Sequence, residues 1–173
     1  AGSTASLANV GGSTAFSTVN DSASVTVSLV NSAPVLNTAG TFILPYVTAS
    51  TTTPPAVLVS TILGSNVTDA NAGALKGLAI TAVDSTKGTW QYSINAGTTW
   101  YKLTTADVTS SLLLRSTDYL RFMPKAGVTG PSSFVFRAWD RTTGTAGTLA
   151  NLATGVGGTT AYSTAVDSAT VQV

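Results

Sequence analysis

Nothing in this sequence supports a long helix. There is no Glu, Lys and Arg together number 8, and the background is Thr, Ser, Val and Gly. Those residues form helices poorly and mostly favour strands or turns. Apolar runs or alternations, separated by turn residues, fall at 22–30, 41–47, 56–63, 78–84, 89–94, 98–103, 111–115, 118–123, 133–140 and 168–173. Short strands at that spacing predict an all-β sandwich. In 89–94 (TWQYSI), Trp90, Tyr92 and Ile94 share one face and Gln91 and Ser93 the other. The NAG that follows can turn through positive φ and return TTWYKL antiparallel. The prolines in 50–56 (STTTPPA) lack N–H donors, so this stretch is expected to carry the chain between sheets.

The composition removes most chemistry. With 173 residues, 43% hydrophobic and 9% charged, the chain has enough apolar material for one core without metal or disulfide. A net charge of +1 from scattered cations gives no footprint for nucleic acid or an anionic membrane. No apolar run approaches the ~20 residues of a membrane-spanning helix, so insertion is not expected. With no Cys, no His and only Asp as acid, the chain lacks a thiol nucleophile, a Ser-His-Asp triad and His-ligated metals. What remains is carboxylate chemistry and oxygen-ligated cations. No spacing of the Asp residues suggests a paired acid and base, so no enzyme is expected. The opening AGSTASLANVGG has neither the basic nor the apolar segment of a secretion signal, an expectation of a mature chain or a fragment.

The chain ends almost as it began. Residues 11–27 read GGSTAFSTVNDSASVTV and residues 157–173 read GGTTAYSTAVDSATVQV, agreeing at 11 of 17 positions with an offset of 146. Self-similarity at a fixed period marks an array. The organisation expected is therefore a terminal strand and joint of a preceding repeat over 1–30, followed by one complete repeat over 31–173.

GTWQYSINAGTTW, SLLL, LRFMP, FVFRAWD with TTGTAG, and GGSTAFST…DSASVTV…NSAPVL together resemble the cadherin-like, immunoglobulin-like tandem repeats of large bacterial surface proteins and adhesins. The resemblance covers 31–173, plus the preceding unit's tail. It implies an antiparallel Ig-like or cadherin-like sandwich in an extracellular rod at a bacterial surface or secreted from it. Its partners would be neighbouring identical repeats or subunits end to end, and surface glycans or host and cell-surface proteins. Asn31, Ser32, Ala33 and Pro34 take the place of the joint between repeats. Family members often carry calcium-binding carboxylates at the joint and in a D-x-D-A-G loop; here Ser32 stands in NSAP and Asn71 in VTDANAG.

Calcium is thus the one cofactor to weigh, with Asp69, Asn71, Asp140, Asp21 and Asn31 as candidate ligands if folding gathers them. The competing and favoured reading of Asp69 and Asn71 is a local Asx-turn. Trp100 and Tyr101 are candidates for a glycan platform, since a regular hairpin turns one of them outward. Aromatic core packing is the commoner use of such residues. Ser24, Val25, Val27 and Leu29, in a strand without a domain of its own, are candidates for exchange into a neighbouring sheet. The Gly- and Thr-rich stretch 141–166 has little apolar content to bury and is long for a loop, so it is expected either to be functional or to hold short strands of its own, with TTAYST a candidate for one.

Overall fold

The computed structural model describes residue 4 and residues 6–26, 28–40, 42–104 and 106–173. It is an all-β structure of two main sheets. The strands are β1 (Val35–Leu36), β2 (Phe42–Ile43), β3 (Val57–Leu58), β4 (Val67–Thr68), β5 (Gly77–Val83), β6 (Gly88–Ser93), β7 (Tyr101–Leu103), β8 (Ser111–Arg115), β9 (Tyr119–Pro124), β10 (Pro131–Trp139), β11 (Leu149–Ala150) and β12 (Asp167–Gln172). One helical turn, α1 (Val59–Leu63), interrupts them. The larger sheet runs β11-β8-β5-β10-β12-β2, the smaller β3-β9-β6-β7, and β1 with β4 forms a short pair. All pairings are antiparallel except β12 with β2, which is parallel in the register Ala169↔Phe42 and Thr170↔Ile43.

Alternation on each strand explains the core. Phe134, Phe136 and Ala138 of β10, Leu78 and Ile80 of β5, and Ala169 and Val171 of β12 point into one buried cluster, where Trp90, Leu120 and Phe122 meet them from the smaller sheet. Trp90 is its centre, with ring centroids 4.9 Å from both Phe122 and Phe134, the latter edge-on. Edge-to-face packing matches the aromatic quadrupoles. The 50–56 stretch lies outside any strand and links β2 in the larger sheet to β3 in the smaller, as its prolines require.

Several expectations need correction. Residues 56–63 begin as a strand and then coil into α1, because the Val59 and Ser60 amides bond to Asp118 and Ser116 carbonyls in the β8–β9 turn. That coil sends Val59, Ile62 and Leu63 into the core on one helical face. Gly64, at φ 51, ends it. The β6–β7 hairpin forms as expected, with Tyr92 opposite Tyr101, but residues 98–100 join its connection instead of β7. Buried Ser93 organises that connection by accepting the Gly97 amide at 2.9 Å, and Asn95 accepts the Thr99 amide at 2.9 Å. The expected strand at 22–30 is absent among its described residues, and Val25 and Leu29 are 87% and 93% exposed. A strand with no partner edge leaves its apolar residues in water, and pairing is what would stabilise it. Val27 and Thr41, in the expected strands 22–30 and 41–47, lie outside the described residues.

The stretch 141–166 departs most from expectation. It supplies β11 and one isolated bridge, Trp139↔Tyr162, in place of a TTAYST strand. It also buries apolar surface: Leu152, Ala161 and Tyr162 pack with Ala79, Leu113 and Trp139 in a second cluster. Ala79 and Leu113 alternate with the main-core residues Leu78, Ile80, Leu112 and Leu114, so this cluster lies on the outer face of the larger sheet. The run of consecutive leucines in β8 is the sequence signal for a strand covered on both sides.

Candidate functional site

The expected joint residues gather a cluster of side-chain and backbone hydrogen bonds. The Asn31 amide donates to Asp140 Oδ2 at 2.7 Å, to the Thr160 carbonyl at 3.1 Å and to the Thr159 carbonyl at 3.5 Å. Ser32 donates its backbone N–H to Asn71 Oδ1 at 2.8 Å, and Ala33 donates to the Gly158 carbonyl at 2.8 Å. Pro34 is buried beneath them. Asn31 through Ala33 thus tie this segment to loops at 69–71, 140–142 and 157–160.

Four of the five calcium candidates belong to this arrangement. Asp69 accepts the Asn71 amide at 2.8 Å through Oδ1, the Asx-turn expected from the spacing. Its Oδ2 is buried and has no hydrogen-bond partner among the described residues. Asp140 is fully engaged: Oδ1 accepts the Thr142 amide at 2.8 Å and hydroxyl at 2.6 Å, while Oδ2 accepts Asn31. Asp21 stands apart, exposed, accepting only the Ser22 amide at 2.8 Å. The Asn31 amide nitrogen sits among three oxygens, where its partial positive charge faces the Asp140 carboxylate. Calcium asks for six to eight oxygen ligands. Among the described residues, no group of three or more His, Cys, Asp or Glu is placed to hold a metal.

The Asp-x-Thr turn of Asp140 recurs elsewhere. Asp84 accepts the Thr86 hydroxyl at 2.7 Å and amide at 2.9 Å, and Asp107 accepts the Thr109 hydroxyl at 2.6 Å and amide at 2.7 Å. In both, the hydroxyl bond first and the amide bond second hold the carboxyl below its usual range. These are turn clasps, the third of which also serves the joint.

The aromatic candidates separate. The Arg121 guanidinium lies 3.9 Å over the Trp100 ring, covering that face. Tyr101 is 45% exposed, with its ring stacked on Tyr92 at 5.5 Å. The structure therefore turns Tyr101 outward from the hairpin and caps Trp100 with a cation.

Coordinates reproduce the internal repeat. Gly11 donates to the Phe16 carbonyl at 2.7 Å and Gly157 to the Tyr162 carbonyl at 2.8 Å; the Thr14 amide reaches the Gly11 carbonyl at 3.1 Å and the Thr160 amide reaches that of Gly157 at 3.0 Å. Thr14 and Thr160 hydroxyls repeat the bond at 2.8 and 2.9 Å. Ser17 and Ser163 hydroxyls each bond to the carbonyl two residues on, Val19 and Ala165. Gly11 and Gly12 have φ 77 and 57, and Gly157 and Gly158 have φ 74 and 58. Comparisons with protein-family models, with curated proteins and with solved structures find no match.

Proposed function

We propose that this chain is a non-catalytic structural repeat of a cadherin-like or immunoglobulin-like array, one unit of an extracellular rod, stalk or filament at a bacterial surface or secreted from it. The observation that carries this reading is the recurrence of 157–173 in 11–27, in sequence and in the bonds of the turn. The turn that precedes the last strand of 31–173 is present again before the joint, together with the sequence of that strand, as tandem units require.

Two features suit a load-bearing role. The joint is bonded to three loops of its own unit, so a pull on the chain meets a fixed point at Asn31. Further on, β2 lies parallel to β12, and the bonds continue from Leu44 N–H to the Thr170 carbonyl at 2.7 Å and from Val47 N–H to the Gln172 carbonyl at 3.1 Å. Tension between the two ends of 31–173 drives these parallel segments past one another, so their bonds share the load. Adhesion to glycans or host proteins would then belong to whatever the rod displays.

The test is the denatured mass of the polypeptide in its native source. A mass many times 17.4 kDa is expected. A mass near 17.4 kDa would sink the covalent array and favour a second reading, subunits joined by strand exchange. The observation behind that alternative is the exposed, unladdered state of Ser24, Val25 and Leu29. For the joint, equal melting temperatures in calcium and in EDTA are expected. A rise in calcium would make Asp140 and Asp69 ligands, since an ion held only by the folded state must stabilise it.

A further inference from the structure

A cleft of about 270 Å³ opens beside the outer cluster of the larger sheet, lined by Ile94, Arg115, Trp139, Arg141, Gly144, Thr145 and Ala146. Two arginines line it and no Asp does, among the described residues. Arg115 is half committed: Nε and Nη2 hold the buried carboxylate of Asp118, with Nη2 at 2.8 Å from Oδ1, and Nη2 also donates to the Ile94 carbonyl at 2.8 Å. Its Nη1 has no hydrogen-bond partner among the described residues, and its side chain is 34% exposed. Asp118 balances the charge of Arg115, so the cleft carries the single positive charge of Arg141.

Arg141 is held in an unusual way. Its backbone is left-handed, at φ 69, a conformation that costs a non-glycine residue energy. The neighbouring carboxylate of Asp140 is spent on Thr142 and Asn31, and the Arg141 side chain makes no hydrogen bond among the described residues. Trp139, itself buried, backs the cleft, and its indole N–H donates to the Thr143 carbonyl at 2.7 Å. Gly144, at φ 83, lets this loop pack on the outer face of the larger sheet: a Cβ there would lie 2.4 Å from Leu113 Cδ1.

We propose that this cleft binds a small carboxylate-bearing molecule with one apolar face, of the size and chemistry of a single acidic sugar residue. Guanidinium forks match carboxylate geometry, and the net charge of one suits a monoanion better than a phosphate or sulfate dianion. Ile94 and Ala146, which are partly exposed in the cleft, would cover the ligand's apolar face. Ligand pockets usually begin near about 300 Å³, so this one has room for a single ring.

The test is a titration of the full chain followed by two-dimensional amide NMR, with glucuronate, glucose and sulfate as probes. Glucuronate should shift the Trp139 indole N–H saturably, and Arg141→Gly should weaken that binding at least ten-fold. Melting temperature should stay level or rise in Arg141→Gly, because Gly adopts positive φ without strain. Arg141→Asn, also tolerant of that angle, is the second variant, with the same loss expected. The proposal is overturned by no saturable shift, by glucose shifting the indole equally, by sulfate binding as tightly as glucuronate, or by undiminished affinity in both variants.

Discussion

Residues 11–27 and 157–173 are nearly the same sequence in two different circumstances. Both make the same turn, with matched glycine angles and matched bonds from Gly, Thr and Ser. Beyond the turn they part. In the second copy Ala169 and Val171 are buried in β12 between β10 and β2; in the first, Val25 stands in solvent with no ladder among its described neighbours. The turn is satisfied by bonds within a few residues, so it forms wherever that sequence occurs. The strand needs a sheet edge from elsewhere, and only one of the two copies has it.

That contrast can be broken by paired substitutions. The largest effect is expected for Val171→Asp, which puts a charge into the main core and should cost about 4 kcal/mol or unfold the chain. Its counterpart Val25→Asp should change stability by no more than about 0.5 kcal/mol. Denaturant unfolding of both variants measures the difference, and equal losses would mean that the first copy is also packed.

Next comes the joint. Asn31→Ala removes the donor shared by Asp140 and two carbonyls and should destabilise by about 1–3 kcal/mol, because Oδ2 of the buried Asp140 carboxylate loses its donor while Oδ1 keeps Thr142. Thermal unfolding tests this, and an unchanged midpoint would show that the joint does not close the unit. The glycines give a smaller, sharper comparison. Gly157→Ala and Gly11→Ala are both strained, with an added Cβ only 2.2 Å from Thr164 Oγ1 or 2.0 Å from Thr18 Cγ2. Gly157→Ala should cost about 1–2 kcal/mol of global stability, since its turn also holds the joint. Gly11→Ala should leave global unfolding unchanged, and amide NMR should show only local loss of the turn.

The smallest effect is electrostatic. Asp84 and Asp107 have carboxyls held below the usual 3.8 by Thr86 and Thr109, so their folded pKa lies under the unfolded one. The stability they add is therefore present above about pH 4 and lost as pH falls through the lowered folded values. Thr86→Val and Thr109→Val together should flatten the acid limb of a stability–pH profile, a change that denaturant titrations below pH 4 would detect. Solvent exposure keeps the effect small.

Much of the fold was legible because alternation is a local property. β5, β6, β9, β10 and β12 lie where period-two patterns of Ile80, Trp90, Phe122, Phe134 and Val171 put them. Helix α1 was hidden inside an apolar run, because its coil depends on Asp118 and Ser116 carbonyls more than fifty residues away. The cover formed by 141–166 was hidden for a similar reason: Leu152 and Tyr162 look isolated in a Gly- and Thr-rich stretch, and only Leu113 and Trp139 give them a surface. In the candidate site, the Asx-turn at Asp69 could be read from its spacing, whereas the bond from Asn31 to Asp140 spans 109 residues and carries no local signature.

By itself, then, the sequence determined the all-β character, the hairpin after Ser93, the twin turns at Gly11 and Gly157, and the absence of thiol and imidazole chemistry. Each of these depends on residue type or on bonds between near neighbours. Tertiary structure alone decided which copy of the repeated strand is paired, that β2 runs parallel to β12, that Asn31 meets Asp140, and that Arg115 and Arg141 share a cleft. Those outcomes depend on edges and faces supplied by distant segments, and a chain's local preferences hold no record of what will arrive beside them.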